Sequence, residues 1–339
     1  MPVLKAAINM LVNQVSLSES EMAECMTEIM EGRATDSQIG AFLTALRMKG
    51  ETVEEITGAA KIMRKKAITI KAPEGVLDTC GTGGDMSHTF NVSTTTSIVV
   101  AACGVPVSKH GNRSVSSQSG SADVLEALGI IIDLPPEKVE ECLFETGFGF
   151  LFAPLFHPAM KYAIGPRREM GIRTIFNILG PLTNPAGAKR QLLGVFADHL
   201  TETLAMVLGN LGAVDAMVIH GRDGLDEISI SDETKVSRFR DGKAENFFIE
   251  PEDFGIERRD IDSIRGGNKD ENALITLSVL RGEGGAKRDI VLMNSAAAIM
   301  VSGKTGDFGT AFDMAAEAID SGKALKKLEE VRRVSKSLQ

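Results

Sequence analysis

Across residues 71–75 the hydrophobic pattern of this 339-residue chain changes period, so its two parts need different architectures. Before the change, three segments each open with a hydroxyl residue followed three positions later by Glu or Gln: Ser18 and Glu21, Thr35 and Gln38, Thr52 and Glu55. That spacing is a capping box, in which two side chains satisfy backbone donors that a helix start leaves open. Met22, Cys25, Met26, Ile29 and Met30 then recur at i, i+3, i+4, i+7 and i+8, and Ile39, Phe42, Leu43 and Leu46 follow suit. Gly32 and Gly50 are placed to stop these two helices. Residues 1–72 are therefore predicted to form a small helical domain, with the Lys-Ala-Pro-Glu-Gly stretch from Lys71 to Gly75 as its linker.

From Val76 onward, short β-branched runs alternate with helical stretches. Strands are predicted over 76–79, 105–107, 130–132, 191–196 and 216–219, and helices over 93–103, 119–128, 136–145 and 199–211. Alternation of this kind builds a mainly parallel central sheet covered on both faces. The predicted fold is α/β, with a large α/β domain over 73–339 beside the helical one. Ligands of such sheets gather in the loops at the carboxyl ends of the strands.

Those loops carry the chemistry. Asp78-Thr-Cys-Gly-Thr-Gly-Gly-Asp85 is followed by Asn91-Val-Ser-Thr94 at a helix start. Gly81, Gly83 and Gly84 let backbone amides approach an anion, and the helix start adds open N–H groups and a positive dipole end, which suits a phosphate or pyrophosphate. Taken alone, such a cluster is also what a tight strand-to-helix turn requires. No Lys follows the glycines and the Gly-x-Gly-x-x-Gly spacing is missing, which disfavours ATP and NAD. Lys109-His-Gly-Asn-Arg-Ser-Val-Ser-Ser117, leading to Ser119-Gly-Ser121, packs two cations, a histidine, an amide and three hydroxyls into nine residues. That donor density fits an anionic, hydroxyl-rich ligand, while His88 nearby reads as a solvated loop residue.

Asp226 and Glu227, in Gly221-Arg-Asp-Gly-Leu-Asp-Glu227, are adjacent hard oxygen ligands. By themselves they also fit a solvated turn; beside two anion-binding loops they point to Mg2+, with substrate phosphates completing the octahedron. Finally, His157-Pro-Ala-Met160 leads through Arg167 and Arg168 to Thr174-Ile-Phe-Asn-Ile-Leu-Gly-Pro-Leu-Thr-Asn-Pro185. An arginine there would grip a carboxylate in bidentate fashion, or the pair is a helix-end charge cluster.

Composition excludes several alternatives. With 37 Lys plus Arg against 46 Asp plus Glu, the net charge of −9 opposes non-specific nucleic-acid binding. The single tyrosine and absent tryptophan disfavour base-stacking platforms. Four scattered cysteines, Cys25, Cys80, Cys103 and Cys142, form no CxxC pair and fit a reducing cytoplasm, and no apolar run is long enough to span a bilayer.

The order and spacing of these segments resemble the anthranilate phosphoribosyltransferase family of tryptophan biosynthesis. Gly-Thr-Gly-Gly-Asp, Lys-His-Gly-Asn-Arg and Phe-Asn-x-Leu-Gly-Pro-Leu-Thr-Asn-Pro carry the resemblance, together with Gly224 to Glu227. It implies a nucleoside phosphorylase/phosphoribosyltransferase-like fold whose helical domain is completed by a mid-chain insertion near 160–185 and pairs the chain into a homodimer. It implies transfer of the phosphoribosyl group of phosphoribosyl pyrophosphate (PRPP) to the amine of anthranilate. By motif position, Gly81, Gly84, Asp85, Thr89, Asn91, Val92, Ser93 and Thr94 would hold PRPP, joined by Lys109, His110, Gly111, Asn112, Arg113, Ser114, Val115, Ser116, Ser117 and Ser121. Ser93, Asp226 and Glu227 would coordinate Mg2+. Asn112 and Arg167 would contact anthranilate, with Gly81, His110, His157 and Gly180 lining its site, and the catalytic set would be Lys109, Arg167, Asp226 and Glu227. Met86 stands where the family often has glycine.

Two other readings use the same scaffold. A pyrimidine nucleoside phosphorylase would carry Lys-His-Ser-Thr-Gly-Gly, but here Lys109-His110 runs into Gly-Asn-Arg. A non-catalytic nucleic-acid-binding homologue is opposed by the charge and by the intact Asp226-Glu227 pair.

Overall fold

The computed structural model describes residues 3–85, 87–114 and 118–339. Met86, Val115, Ser116 and Ser117 lie outside the described residues. The N-terminal unit holds α1 (Val3–Val12), α2 (Glu19–Met30), α3 (Asp36–Lys49) and α4 (Val53–Lys66). All three expected capping boxes form, at Ser18, Thr35 and Thr52. Glu55 has three roles: it completes the Thr52 box, accepts the Leu17 N–H at 2.9 Å and pairs with Lys49 at 2.9 Å. Those partners make its complete burial tolerable, since a buried carboxylate without them would cost several kcal/mol.

The chain then alternates through β1 (Leu77–Gly81), α5 (Val92–Ala102), β2 (Val107–Gly111), α6 (Ser121–Ala127), α7 (Pro136–Thr146) and β3 (Phe148–Phe152). Short α8 (Ala153–Phe156), α9 (Lys161–Met170) and α10 (Phe176–Leu179) come next, and a 3-10 turn, Gly180–Thr183, leads into β4 (Arg190–Gly194). After α11 (Leu200–Asn210) follow β5 (Asp215–Gly221), β6 (Thr234–Arg240) and β7 (Lys243–Ile249). Helices α12 (Lys269–Leu280), α13 (Ala286–Ser302), α14 (Phe308–Asp320) and α15 (Lys323–Ser337) complete the chain.

The seven strands form one sheet in the order β3-β2-β1-β4-β5-β6-β7, parallel from β3 to β5 and antiparallel at β6 and β7. Helices α5, α13 and α15 bury one face, and α11 with the N-terminal helical unit buries the other. Helix α9 packs on α3 and α2, so the mid-chain segment joins the apolar core of the N-terminal helices. Two strand expectations need correction. Residues 130–132 are an irregular connector: Ile130 and Ile132 are buried, but the Ile131 N–H goes to Ser335 Oγ at 3.2 Å. The ladder beside β2 belongs instead to β3, whose aromatic Phe-Gly-Phe-Leu-Phe run lacks the β-branched signature. In addition, β2 runs on beyond Val107 through Lys109 and His110, so these two residues sit on a strand and not in the loop after it.

Candidate functional site

After β1 the chain turns to β2 on one side, and β4 returns on the other, making the carboxyl end of β1 the switch point of the sheet. Gly81 and Gly194 are register partners at the ends of β1 and β4. A Cβ on Gly81 would lie 2.5 Å from Asp226 Oδ2, and one on Gly194 would lie 1.5 Å from the Asp226 carbonyl oxygen. Their bare Cα atoms are what let the segment after β5 fold down over the sheet. Gly83 and Gly84 then turn the loop with φ of 64° and 77°, and the Gly83 N–H donates to Asp226 Oδ2 at 2.8 Å. From the start of α5 the Ser93 N–H donates to Glu227 Oε1 at 3.0 Å. The Asp-Glu pair is thus half-buried against the glycine loop and helix start, and is no freely solvated turn.

Burial first, then Asp85, pushes the Asp226 carboxyl up to about 7; burial, then Asp226, holds Glu227 well above the usual carboxylate range. Asp85 Oδ2 is buried without a hydrogen-bond partner. Carboxylates so placed suit a hard divalent cation. Among the described residues no group of three or more His, Cys, Asp or Glu side chains could hold a metal ion; Mg2+ is commonly bound by one or two carboxylates together with water and substrate oxygens.

Alternation along β2 separates two environments. Lys109, 1% exposed, donates from Nζ to the Thr79 carbonyl at 2.6 Å and to Ser93 Oγ at 3.3 Å. Burial lowers its pKa, opposed chiefly by Asp78. His110 faces the other way, its Nδ1 3.1 Å from the Gly180 carbonyl and its ring 5.0 Å from that of His157. A carbonyl only accepts, so Nδ1 carries the proton and Nε2 of the neutral ring is an acceptor. The Nε2 atoms of both histidines are buried without partners. Arg167 lies with its guanidinium 5.1 Å from the Phe176 ring centroid, on the segment leading to Gly180, whereas Arg168 is exposed.

The other expected site residues fall around this strand end. Thr94 Oγ1 is buried without a partner. Thr89 bridges to Arg265, and Asn91 caps α5, its side chain donating to the Ser119 carbonyl at 3.2 Å. Val92 is buried, and the Asn112 carbonyl accepts from Ser121 Oγ at 3.3 Å. Gly111 lies against Ser121 Oγ and Phe150. The Ser114 N–H donates to Asp123, whose carboxylate also pairs with Arg113; Arg113 reaches Glu126 as well, and is committed to α6.

Two residues escaped the sequence reading. Asp78, fully buried, accepts the His110 N–H and is pushed up to about 6 by burial; a carboxylate inside a strand beside a glycine loop was the available signal. Arg173 stacks 4.3 Å over the Phe196 ring and donates to the Gly84 carbonyl, tying the segment after α9 to the glycine loop. A lone arginine between Ile172 and Thr174 offers no pattern to find it by.

Residues 73–325 match the glycosyl transferase family a/b domain, and residues 5–67 match the glycosyl transferase family helical bundle domain. Anthranilate phosphoribosyltransferase of Acetivibrio thermocellus is 57% identical over 328 residues, covering 96% of this chain and 95% of that one. The chain belongs to the anthranilate phosphoribosyltransferase family. The family enzyme of Alkaliphilus metalliredigens is 53% identical over 99% of both chains. Among solved structures, anthranilate phosphoribosyltransferase from Thermus thermophilus superposes with a TM-score of 0.93 at 39% identity, over 99% of this chain and 100% of that one. The Saccharomyces cerevisiae family member, in complex with PRPP and Mg, gives 0.90 at 29% identity over 98% of each. A small helical domain joined to a large α/β domain is the family fold, and this chain has it.

Proposed function

We propose that this chain transfers the phosphoribosyl group from PRPP to the amine of anthranilate, giving N-(5-phosphoribosyl)anthranilate and pyrophosphate, in tryptophan biosynthesis. The observation that carries the reading is the seating of Asp226 and Glu227 on the glycine loop at the switch point, beside Lys109, in a chain of this family. PRPP lies along Gly81, Gly84, Asp85, Thr89, the run from Asn91 to Thr94, the segment from Lys109 to Ser117, and Ser121. Ser93, Asp226 and Glu227 hold Mg2+, which when bound supplies positive charge to offset that of the pyrophosphate. Asn112 and Arg167 hold anthranilate, with Gly81, His110, His157 and Gly180 around it.

The chemistry follows from charge and position. The C–O bond to pyrophosphate breaks as the anomeric carbon gains cation character, and the developing charge on the leaving group meets the Lys109 ammonium and the amides of the glycine loop. An aromatic amine is neutral at pH 7, so it attacks without a strong base and must chiefly be placed against the sugar. Arg167, half-buried, fixes the anthranilate carboxylate.

We further propose 1–72, completed near 160–185, and 73–339 as the two domains. The chain pairs as a homodimer through the helical part, supported by exposed Val12, Val15, Met48, Ile164 and Ile172 on and beside α1, α3 and α9. Cytoplasmic residence is supported by four free cysteines. No helix among the described residues is long and apolar enough to cross a membrane.

The test is to mix the protein with PRPP, Mg2+ and anthranilate and follow loss of anthranilate fluorescence, against which a chain without tryptophan adds little emission. No loss, in a folded sample that binds PRPP, overturns the acceptor. Arg167→Ala should raise KM for anthranilate about tenfold or more, the scale of a lost charged hydrogen bond, and leave KM for PRPP within about twofold. Equal rises in both would remove Arg167 from the acceptor site.

The two histidines also set a pH dependence of stability. Burial pushes His110 from its ordinary 6.5 down to about 3, helped by His157, and pushes His157 down to about 4. Between 6.5 and those values the unfolded chain takes up protons that the folded chain refuses, so stability is complete above 6.5 and falls with pH. Asp78, raised from 3.8 to about 6, works in the opposite sense as pH falls through that window. Comparing His157→Gln with the parent cancels the Asp78 contribution: unfolding midpoints between pH 6.5 and 4 should fall less steeply in the variant. Equal slopes would show that His157 is not buried neutral.

A further inference from the structure

The stretch from Asp232 to Gly285 carries no recognisable motif, yet part of it packs directly on the donor side of the site. The Gly266 N–H donates to the His88 carbonyl at 2.9 Å and the Phe90 N–H donates to the Ile264 carbonyl at 3.2 Å, while Thr89 and Arg265 form a bridge. A Cβ on Gly266 would lie 2.6 Å from the Phe90 nitrogen, so backbone lies on backbone here. Behind this contact, α12 and α5 meet along a polar seam. Asn272 Nδ2 donates to Asn91 Oδ1 at 2.9 Å, and one turn further on each helix the Thr276 and Thr95 hydroxyls meet at 3.0 Å. Asn272 is 2% exposed, and Thr276 and Thr95 are fully buried.

The orientation of both amides in this seam is determined by its ends. The Gly267 N–H, which only donates, reaches Asn272 Oδ1 at 2.8 Å. Asn272 therefore presents Nδ2 to Asn91, Asn91 must answer with Oδ1, and its own Nδ2 is left to donate to the Ser119 carbonyl. One partly buried chain of hydrogen bonds thus joins the Gly266-Gly267 turn, the cap of α5 and the entry to α6. Asn91 sits two residues before Ser93, whose N–H holds Glu227.

We propose that Asn272 is a positioning residue for the PRPP cradle, acting through Asn91, at the cap of α5, by dictating that its amide oxygen faces Asn272 and its amide nitrogen faces Ser119. The proposal rests on the functional reading above. Asn272→Asp keeps the shape and still accepts from Gly267, but a carboxylate has no N–H to give Asn91. Asn91 must then leave its oxygen unpaired or turn it against the Ser119 carbonyl, and a buried acceptor without a donor is costly. Thr276→Val is the control: equally buried and on the same seam, it spoils the second contact while Thr95 still donates to the Asn91 carbonyl at 3.1 Å.

The experiment measures KM for PRPP and for anthranilate, kcat and the unfolding midpoint for the parent, Asn272→Asp and Thr276→Val. Asn272→Asp should raise KM for PRPP about tenfold or more with KM for anthranilate within about twofold, whereas Thr276→Val should lower the midpoint and leave both KM values unchanged. If Asn272→Asp does not fold, Asn272→Ser, too short to reach Asn91, is expected to shift KM for PRPP in the same direction. Unchanged KM for PRPP in a folded Asn272 variant, or a rise matched by Thr276→Val, overturns the proposal. An inactive parent that does not bind PRPP would instead overturn the function it rests on.

Discussion

Asp226→Ala combined with Glu227→Ala is expected to lower kcat/KM by roughly a hundredfold to a thousandfold at saturating Mg2+, the scale of removing a principal electrostatic stabiliser from an active site. The same double variant should unfold no earlier than the parent in the absence of Mg2+. Both carboxylates are half-buried, both have pKa values raised by desolvation and by neighbouring carboxylates, and each is held by a backbone N–H. Groups in that condition cost stability and persist for what they bind. Opposite movement of activity and unfolding midpoint is the signature; a drop in activity under tenfold, or one that simply follows loss of the fold, would deny the pair its role.

Gly194→Ala should be nearly as damaging although no part of residue 194 touches a substrate in the proposed site. The added methyl would sit 1.5 Å from the Asp226 carbonyl oxygen and 2.5 Å from its carbon, and these are backbone atoms that no rotamer change can remove. The segment carrying Asp226 and Glu227 would have to lift off the end of β4. We expect kcat/KM to fall by about a hundredfold, with a stability cost of about 1–3 kcal/mol for the overpacking. Gly165→Ala, on α9 with nothing within 4 Å of the new methyl, is the matched control and should leave turnover unchanged. Near-parental activity in Gly194→Ala would mean that the segment carrying Asp226 and Glu227 need not rest on β4.

Elements governed by neighbours in sequence were legible. The boxes at Ser18, Thr35 and Thr52 form because a cap needs only residues three positions apart, and Gly50 ends α3 with a φ of 89° for an equally local reason. Strand identity was harder. Residues 130–132 and β3 are both short and apolar, and what separates them is which one finds the open edge of β2. β6 and β7 escaped because they are an antiparallel edge with partly exposed faces, whose charged and aromatic residues imitate a loop.

The site divides along the same line. Glycines after strands, the donor-rich run from Lys109 and the Asp226-Glu227 pair are recognisable because the chemistry demands those residue types close together in the chain. The segments of the site, their order and the class of ligand were thus determined by the sequence alone. Tertiary structure decided the rest: that Lys109 and His110 lie on opposite faces of one strand, that Gly194 cradles Asp226, and that Arg173 and Asn272 reach the glycine loop and the start of α5 from distant segments. The physical reason is range. A cap or a glycine turn is an interaction between near neighbours, whereas burial, close backbone approach and the pairing of buried amides exist only once segments far apart in the chain have been packed together.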